Sequence, residues 1–208
     1  MYVQDDSPSA ETRYRSRFRF DPNSITMTSG NAHHLFYGYA GTSTLVLRLE
    51  FRCNGGGCPS GGGSYQIQAE LVNTATTWTS TGWFTLTDAP HNIEFDWQRG
   101  ASGSLTLWLD GAQQANVTGV NNSTRVMDMV RLGPVNGIDT ATRGTYFLDS
   151  FDSRRYNYIG DQQQQQRGQT VLASFLDWFT GAAQTDSASN PAPANLAASL
   201  SATPWAAR

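Results

Sequence analysis

The sequence predicts an all-β fold, a two-sheet antiparallel sandwich or jelly roll, over its first 160 residues. Two observations carry this prediction. Apolar and polar residues alternate with a period of two in several short runs, and Gly, Asn, Asp and Pro separate those runs. Roughly nine or more strands of this kind must form two packed sheets, because each sheet has to bury one of its faces.

The predicted strands follow one another closely along the chain. Four runs alternate strictly, so that one set of side chains faces a core and the other faces outward; these runs span residues 45–52, 65–72, 93–98 and 105–110. Further strands are predicted at Tyr14–Phe20, His34–Tyr39, Trp83–Thr87, Arg125–Leu132 and Tyr146–Phe151. The dipeptide Asp110-Gly111 is a favoured hairpin connection between two strands.

Two cysteines flank a glycine-rich loop between two of these strands. Cys53 and Cys58 enclose Asn54 and three glycines. A disulfide across so small a ring would stabilise the fold by roughly 2 kcal/mol in the loop-entropy model, and it would indicate an oxidising compartment. The alternative is a pair of free thiols at the end of a hairpin.

Composition and charge exclude two classes of protein. The net charge is -3 and only 15% of residues are charged, so the chain lacks the basic surface of a nucleic-acid-binding protein. No apolar run approaches the ~20 residues of a membrane-spanning helix. The first residues also lack the basic and apolar stretches of a secretory signal. We therefore expect either a cytosolic chain or a mature form or fragment of a longer protein, and the features described below favour the second.

The character of the chain changes after residue 160. A Gln-rich linker, Gln162–Gln166, leads to a short amphipathic helix predicted at about residues 170–180, followed by a low-complexity, disordered tail. The helix is too short to be stable alone, so it needs a surface to dock on. The candidates are the sandwich, a partner chain or no surface at all, and the second of these makes self-association through this segment an expectation. Its apolar face consists of Leu172, Phe175, Leu176 and Phe179.

Six segments of the first part carry a family pattern: Tyr14–Ile25, His91–Trp97, Ser104–Gly111, Val130–Gly133, Gly144–Arg155 and Tyr158–Gly160. They resemble the laminin G-like, concanavalin A-like jelly rolls found as modules in secreted bacterial proteins, and the resemblance covers residues 8–160. It implies an extracellular or cell-surface module. Such folds host lectins, adhesins, glycanases and spacers. We expect a non-catalytic recognition module for carbohydrate or a cell surface; the alternative is a structural spacer or a subunit of an extracellular assembly.

One strand is similar to the catalytic strand of laminarinase-type glycanases, which has the pattern Glu-x-Asp-x-(x)-Glu. Here Glu94 and Asp96 match its first two carboxylates, but Gln98 and Arg99 follow. A retaining glycosidase needs two carboxyl groups roughly 5–5.5 Å apart, one of them as general acid, and neither an amide nor a guanidinium can serve as that acid. We therefore expect no enzymatic activity and a core strand with both carboxylates facing outward.

Four aromatic residues are predicted to bind a sugar: Trp108, Trp78, Tyr37 and Tyr39. Trp108 lies opposite an apolar strand face, Trp78 lies in a Thr/Ser-rich stretch, and the two tyrosines share a strand face. A flat ring beside a few polar groups suits the apolar face of a sugar. The alternative for each ring is core or cross-strand packing.

The metal prediction rests on aspartates. Adjacent His33 and His34 point to opposite faces of a strand and cannot easily share one metal ion, and no Cys/His set has zinc spacing. Jelly-roll modules often hold Ca²⁺ through carboxylates from distant loops. Asp149, Asp152 and Asp21 are therefore predicted calcium ligands; the alternative is that they are turn or solvated aspartates. We expect no other cofactor.

Overall fold

A computed structural model describes residues 1–159, which contain twelve β-strands and no helix. The predicted all-β class is confirmed. The strands are β1 (Val3–Asp5), β2 (Arg13–Asp21), β3 (Ala32–Ala40), β4 (Thr44–Asn54), β5 (Ser64–Val72), β6 (Trp78–Ser80), β7 (Phe84–Leu86), β8 (His91–Gln98), β9 (Gly103–Leu109), β10 (Ala112–Val120), β11 (Met129–Asn136) and β12 (Phe147–Arg154).

The strands form two antiparallel sheets. The larger sheet has the order β1-β11-β3-β4-β5-β6, with β7 also paired to β5, and the smaller sheet has the order β10-β9-β8-β2-β12. Strands far apart in sequence lie side by side: β2 pairs with both β8 and β12. The predicted two-sheet jelly-roll sandwich is therefore confirmed, and each sheet has one inner and one outer face.

The core lies between the sheets and is rich in aromatic rings. Phe36 of the larger sheet meets Phe95 of the smaller sheet with ring centroids 4.8 Å apart. Phe51 and Phe20 form a second contact between the sheets at 4.9 Å. Both pairs are close to edge-to-face, the geometry that aromatic quadrupoles favour. All four rings are completely buried.

A bulge in β3 decides which side chains leave the core. The pairing of β3 with β4 shifts between His34 and Phe36, so Phe36 faces inward and Tyr37 faces outward. His33 also points inward, where its ring stacks on Tyr146, whereas His34 lies opposite Glu50 on the outer face. The expected placement of the two histidines on opposite faces is confirmed.

Two strands, β1 and β6, lie outside the runs that the sequence indicated, and β10 was indicated only as the second strand of the predicted Asp110-Gly111 hairpin, which is confirmed. β1 pairs with β11, so the folded unit includes residues before its predicted start at residue 8. β1 and β6 have three residues each and β10 is largely exposed, so none has an apolar alternation to detect. The Gln-rich linker, the helix predicted at 170–180 and the tail lie outside the described residues. Within residues 1–159, no helical segment has the length and hydropathy needed to cross a bilayer.

Candidate functional site

The outer face of the larger sheet combines aromatic rings with charged and amide side chains. Strand alternation produces it, since β3, β4 and β5 turn their apolar residues toward the core and their polar residues outward. We call this surface the polar-aromatic face. It consists of Tyr2, His34, Tyr37, Tyr39, Arg48, Glu50, Arg52, Gln66, Gln68, Glu70, Trp78, Trp83 and Arg131.

Two half-buried tryptophans lie along one edge of this face. The Arg48 guanidinium is 4.3 Å from the ring centroid of Trp78, and the Arg52 guanidinium is 3.8 Å from that of Trp83. Both arginines come from β4, four residues apart, which spaces the two stacks by about 13 Å. Each indole is thus fixed by a cation on one side and remains partly open to solvent.

The arginines are themselves held by β5, which lies between them and the tryptophans. Arg48 Nε donates to the Glu70 carboxylate. Arg52 Nε donates to Gln66 Oε1 at 2.9 Å. A guanidinium that is fixed by a hydrogen bond and stacked on a ring has little rotational freedom left to lose when a ligand binds.

Tyr37 and Tyr39 lie on the same face but are packed into it. Only 6% of the surface of Tyr37 and 7% of that of Tyr39 is exposed to solvent. Arg131 lies over the Tyr39 ring at 5.0 Å and donates to its hydroxyl at 3.3 Å. Burial raises the pKa of Tyr39 above its ordinary value. Both tyrosines therefore follow the cross-strand packing alternative, and their rings are covered rather than open to a ligand.

His34 lies beside two carboxylates in the middle of the face. Its Nε2 is 4.0 Å from Glu50 Oε1, and its ring centroid is 5.1 Å from that of Tyr37. Burial lowers the pKa of His34 below 6.5, with the neighbouring Arg48 acting in the same direction and Glu50 against it. One ligand atom each from His34, Glu50 and Glu70 can be chosen so that all three lie within 4.8 Å of one another.

Trp108 lies on the other sheet, away from Trp78 and the tyrosines. It stands on the outer face of β9, where the Arg15 guanidinium is 5.3 Å from its ring centroid. The Tyr158 ring covers it further, with centroids 5.5 Å apart. The structure therefore does not bring the four predicted sugar-binding rings together.

Glu94 and Asp96 face outward from β8, as expected, and are nevertheless buried, with 3% and 7% exposed. Asp96 accepts hydrogen bonds from Arg13 and Arg15. Glu94 Oε1 accepts one from the Ile159 backbone N–H at 3.1 Å, because the chain after β12 crosses this part of the sheet. Both carboxylates are thus occupied by contacts within the protein.

The three aspartates predicted to bind calcium lie spread along β2 and β12, where Asp21 is opposite Phe147 and Asp152 is opposite Arg17. They do not form a group of three closely spaced ligand atoms among residues 1–159. Asp21 accepts from the Asn23 N–H, and Asp152 accepts from Arg154 at 3.1 Å. Asp149 lies opposite Arg19 and accepts from its neighbour's N–H. Asp21 and Asp149 line a shallow pocket of about 160 Å³, together with Arg19, Pro90 and Phe147. A calcium site at these aspartates stays a prediction.

Cys53 and Cys58 form a disulfide. The loop that it closes packs against a second run of glycines, backbone to backbone. A Cβ atom at Gly61 would lie 2.7 Å from the Gly57 nitrogen, too close for any side chain. Glycine is required there by close approach, and the bridge restrains a segment that glycine would otherwise leave flexible.

Sequence reasoning missed Trp83, Arg48 and Arg52 as parts of the site. The sequence indicated part of this arrangement, because the alternation of apolar and polar residues places Arg48 and Arg52 on the outward face of their strand. Trp83 precedes its strand by one residue, and nothing local to it indicates that an arginine from β4 reaches its ring.

The class that this fold defines is the two-sheet, all-β sandwich, and comparison with solved structures agrees. The chain is similar to the botulinum neurotoxin serotype D ligand-binding domain in complex with N-acetylneuraminic acid, with a TM-score of 0.51, 12% identity, and coverage of 76% of this chain and 37% of that one. The receptor-binding domain of the botulinum neurotoxin C/D mosaic serotype has a TM-score of 0.50 and 11% identity, and the match covers 78% of this chain and 36% of that one. A further structure of the botulinum neurotoxin serotype D binding domain has a TM-score of 0.50 and 13% identity, and the match covers 80% of this chain and 38% of that one.

These likenesses concern the fold alone, since the identities are only 11–13%. The chain spans less than two fifths of the length of those domains. No family model matches the sequence. No curated protein matches it significantly.

Proposed function

We propose that the protein is a non-catalytic, laminin G-like extracellular module that binds carbohydrate through the polar-aromatic face. The observation that carries this proposal is the pair of partly open indoles, Trp78 and Trp83, each stacked on an arginine of β4. The apolar face of a sugar ring packs on a flat aromatic side chain, and its hydroxyl groups need polar partners nearby. The face supplies both.

The polar groups beside the indoles suit a ligand rich in hydroxyl groups. Gln66 is partly exposed and accepts from Arg52 through its Oε1, so its amide N–H groups are available to donate to a hydroxyl group. Arg48 is paired with Glu70, and the remaining carboxylate of β4, Glu50, offsets the charge of Arg52, which is held by the neutral Gln66. The charges of β4 and β5 on this face therefore cancel. A neutral glycan is therefore the favoured ligand. An acidic sugar is the second class to test, since a neighbour of the same fold was solved with N-acetylneuraminic acid.

Two further observations support a secreted, non-catalytic role. The carboxylates that resemble a glycanase strand, Glu94 and Asp96, are buried and hold arginines and a backbone N–H. Their contacts suit a structural ion-pair network better than a general acid, which must reach its substrate. The disulfide between Cys53 and Cys58 fits an oxidising compartment.

A glycan panel tests the proposal with the full chain. Neutral and sialylated glycans are presented with calcium and then with a chelator, and binding is titrated to saturation. We expect at least one neutral glycan to bind, and binding to fall at least tenfold in the double variant Trp78→Ala/Trp83→Ala, since aromatic contacts of this size carry about 1–3 kcal/mol each.

A matched control separates the two sheets. Trp108→Phe alters a ring of similar burial on the opposite outer face and should leave the affinity unchanged. The variants Trp78→Phe and Trp83→Phe keep a flat ring and should retain most of the binding. A blank panel from well-folded protein, or a loss caused by Trp108→Phe alone, would overturn the proposal. Concentration-dependent sedimentation together with a blank panel would favour the structural alternative.

A further inference from the structure

We infer that His34, Glu50 and Glu70 form a binding site for one divalent transition-metal ion on the polar-aromatic face. The three residues come from β3, β4 and β5, and cross-strand pairing brings them together. His34 lies directly opposite Glu50, whose other neighbour is Gln68, and Glu70 follows two positions along the same strand face. This proposal does not depend on carbohydrate binding.

The histidine supplies the first argument for an ion. Both ring nitrogens of His34 are buried, and neither has a hydrogen-bond partner among the described residues. A buried polar atom without a partner is costly, so most such atoms in folded proteins are satisfied by protein, water or an ion. An ion bound at Nε2, which faces Glu50 at 4.0 Å, would satisfy one of the two nitrogens.

The carboxylates supply the second argument, because each is already oriented by a neighbouring donor. Gln68 Nε2 donates to Glu50 Oε2 at 3.1 Å, and Arg48 Nε donates to Glu70 Oε2. Oε1 of each carboxylate is thus left for a cation. Outer-shell hydrogen bonds of this kind are what fix the ligands of known metal sites. Two carboxylates beside Arg48 also leave a net negative charge for a cation to neutralise.

The distances fit an ion after a small closure of the side chains. One oxygen or nitrogen atom from each residue lies within 4.8 Å of the others. Ligands about 2.0–2.2 Å from a tetrahedral zinc ion lie about 3.4 Å apart, so the glutamates would move inward by ~1 Å. Rotation within a glutamate side chain covers that distance without any change in the strands.

The ligand set selects the class of metal. One imidazole nitrogen and two carboxylates suit Zn²⁺ and its first-row neighbours, whereas Ca²⁺ prefers oxygen ligands alone. Three protein ligands leave at least one coordination position for water or an external ligand. This position would open on the same face as Trp78. The site is thereby distinct from the calcium site predicted at the aspartates of β2 and β12.

Calorimetric titration of the metal-free full chain with ZnCl₂ tests the inference. We expect one saturable Zn²⁺ site per chain, no competition from Ca²⁺, and a loss of at least roughly tenfold in affinity for both His34→Ala and Glu50→Gln. His91→Ala, which removes a histidine from the other sheet, is the matched control and should bind normally. Glu50→Gln preserves shape, so it serves if His34→Ala fails to fold.

A cobalt spectrum adds a readout that a merely structural role would not move. Co²⁺ bound at this site should give a visible absorption band that disappears in His34→Ala. The inference is overturned if the wild-type chain shows no saturable Zn²⁺ binding. It is equally overturned if His34→Ala and Glu50→Gln, both folded, bind as tightly as His91→Ala.

Discussion

The buried ring of His33 should make the fold sensitive to mild acid. His33 is 1% exposed, stacks on Tyr146 and meets Phe51 edge-on. Burial lowers its pKa to about 4, from an ordinary value of 6.5. Between these two values the unfolded chain binds a proton that the folded chain excludes. Stability is therefore fully present above about pH 6.5 and falls as the pH approaches 4.

The size of the effect follows from the two pKa values. The difference between the pKa of His33 in the unfolded and the folded chain, at about 1.4 kcal/mol for each unit, amounts to ~3 kcal/mol in the free energy of unfolding. About 2 kcal/mol of this should be lost between pH 8 and pH 5. The variant His33→Phe keeps an aromatic ring and removes two buried nitrogens that have no partner among the described residues. It should lose little or no stability at pH 8.

Urea denaturation at a series of pH values measures this prediction. Unfolding is followed by tryptophan fluorescence in buffers with EDTA, so that no metal ion occupies the neighbouring His34. The free energy of unfolding of the wild type should fall about 2 kcal/mol further than that of His33→Phe between pH 8 and pH 5. The reasoning would be refuted if the free energy of unfolding fell equally with pH in the wild type and in His33→Phe.

Two further changes test the fold that supports the site. Replacing both cysteines, Cys53→Ser/Cys58→Ser, should lower the free energy of unfolding by about 2 kcal/mol, because the small loop between them is released. Reducing the disulfide of the wild type should lower it by the same amount. An unchanged midpoint of urea denaturation would contradict this prediction. Asp96→Ala should cost about 3–5 kcal/mol, because it leaves Arg13 and Arg15 without their buried carboxylate. A calorimetric melting temperature within a degree or two of the wild type would show that solvent already satisfies these arginines.

The sequence predicted the strands whose two faces differ, and it failed where they do not. Leu105, Leu107 and Leu109 alternate with polar residues, so β9 could be assigned from its sequence alone. β10 is exposed along most of its length as an edge strand, and β1 has only three residues. For these two, pairing with a neighbour rather than burial of one face defines the strand. The pairing of β1 with β11 is a long-range property that local alternation does not encode, whereas β10 pairs with β9 across the hairpin that Asp110-Gly111 predicts.

The site was predictable only in its parts. Trp78 and Tyr37 were assigned to ligand binding from their sequence setting, and both lie on the polar-aromatic face. Which rings stay open was not predictable, because Arg131, more than ninety positions from Tyr39, covers that ring. Trp108 shows the same limit, since Tyr158 reaches it from a segment beyond the last strand. Nor could spacing join His34 to Glu70, which are neighbours only through the register of three strands.

The most direct test of the central claim observes the indole N–H signals of the full chain by NMR while a panel-selected glycan is added. The sequence has six tryptophans, so the spectrum is simple enough to assign by single substitutions. We expect the signals of Trp78 and Trp83 to shift in a saturable manner and that of Trp108 to stay in place. Shifts confined to Trp108, or none at saturating glycan, would contradict recognition through the polar-aromatic face.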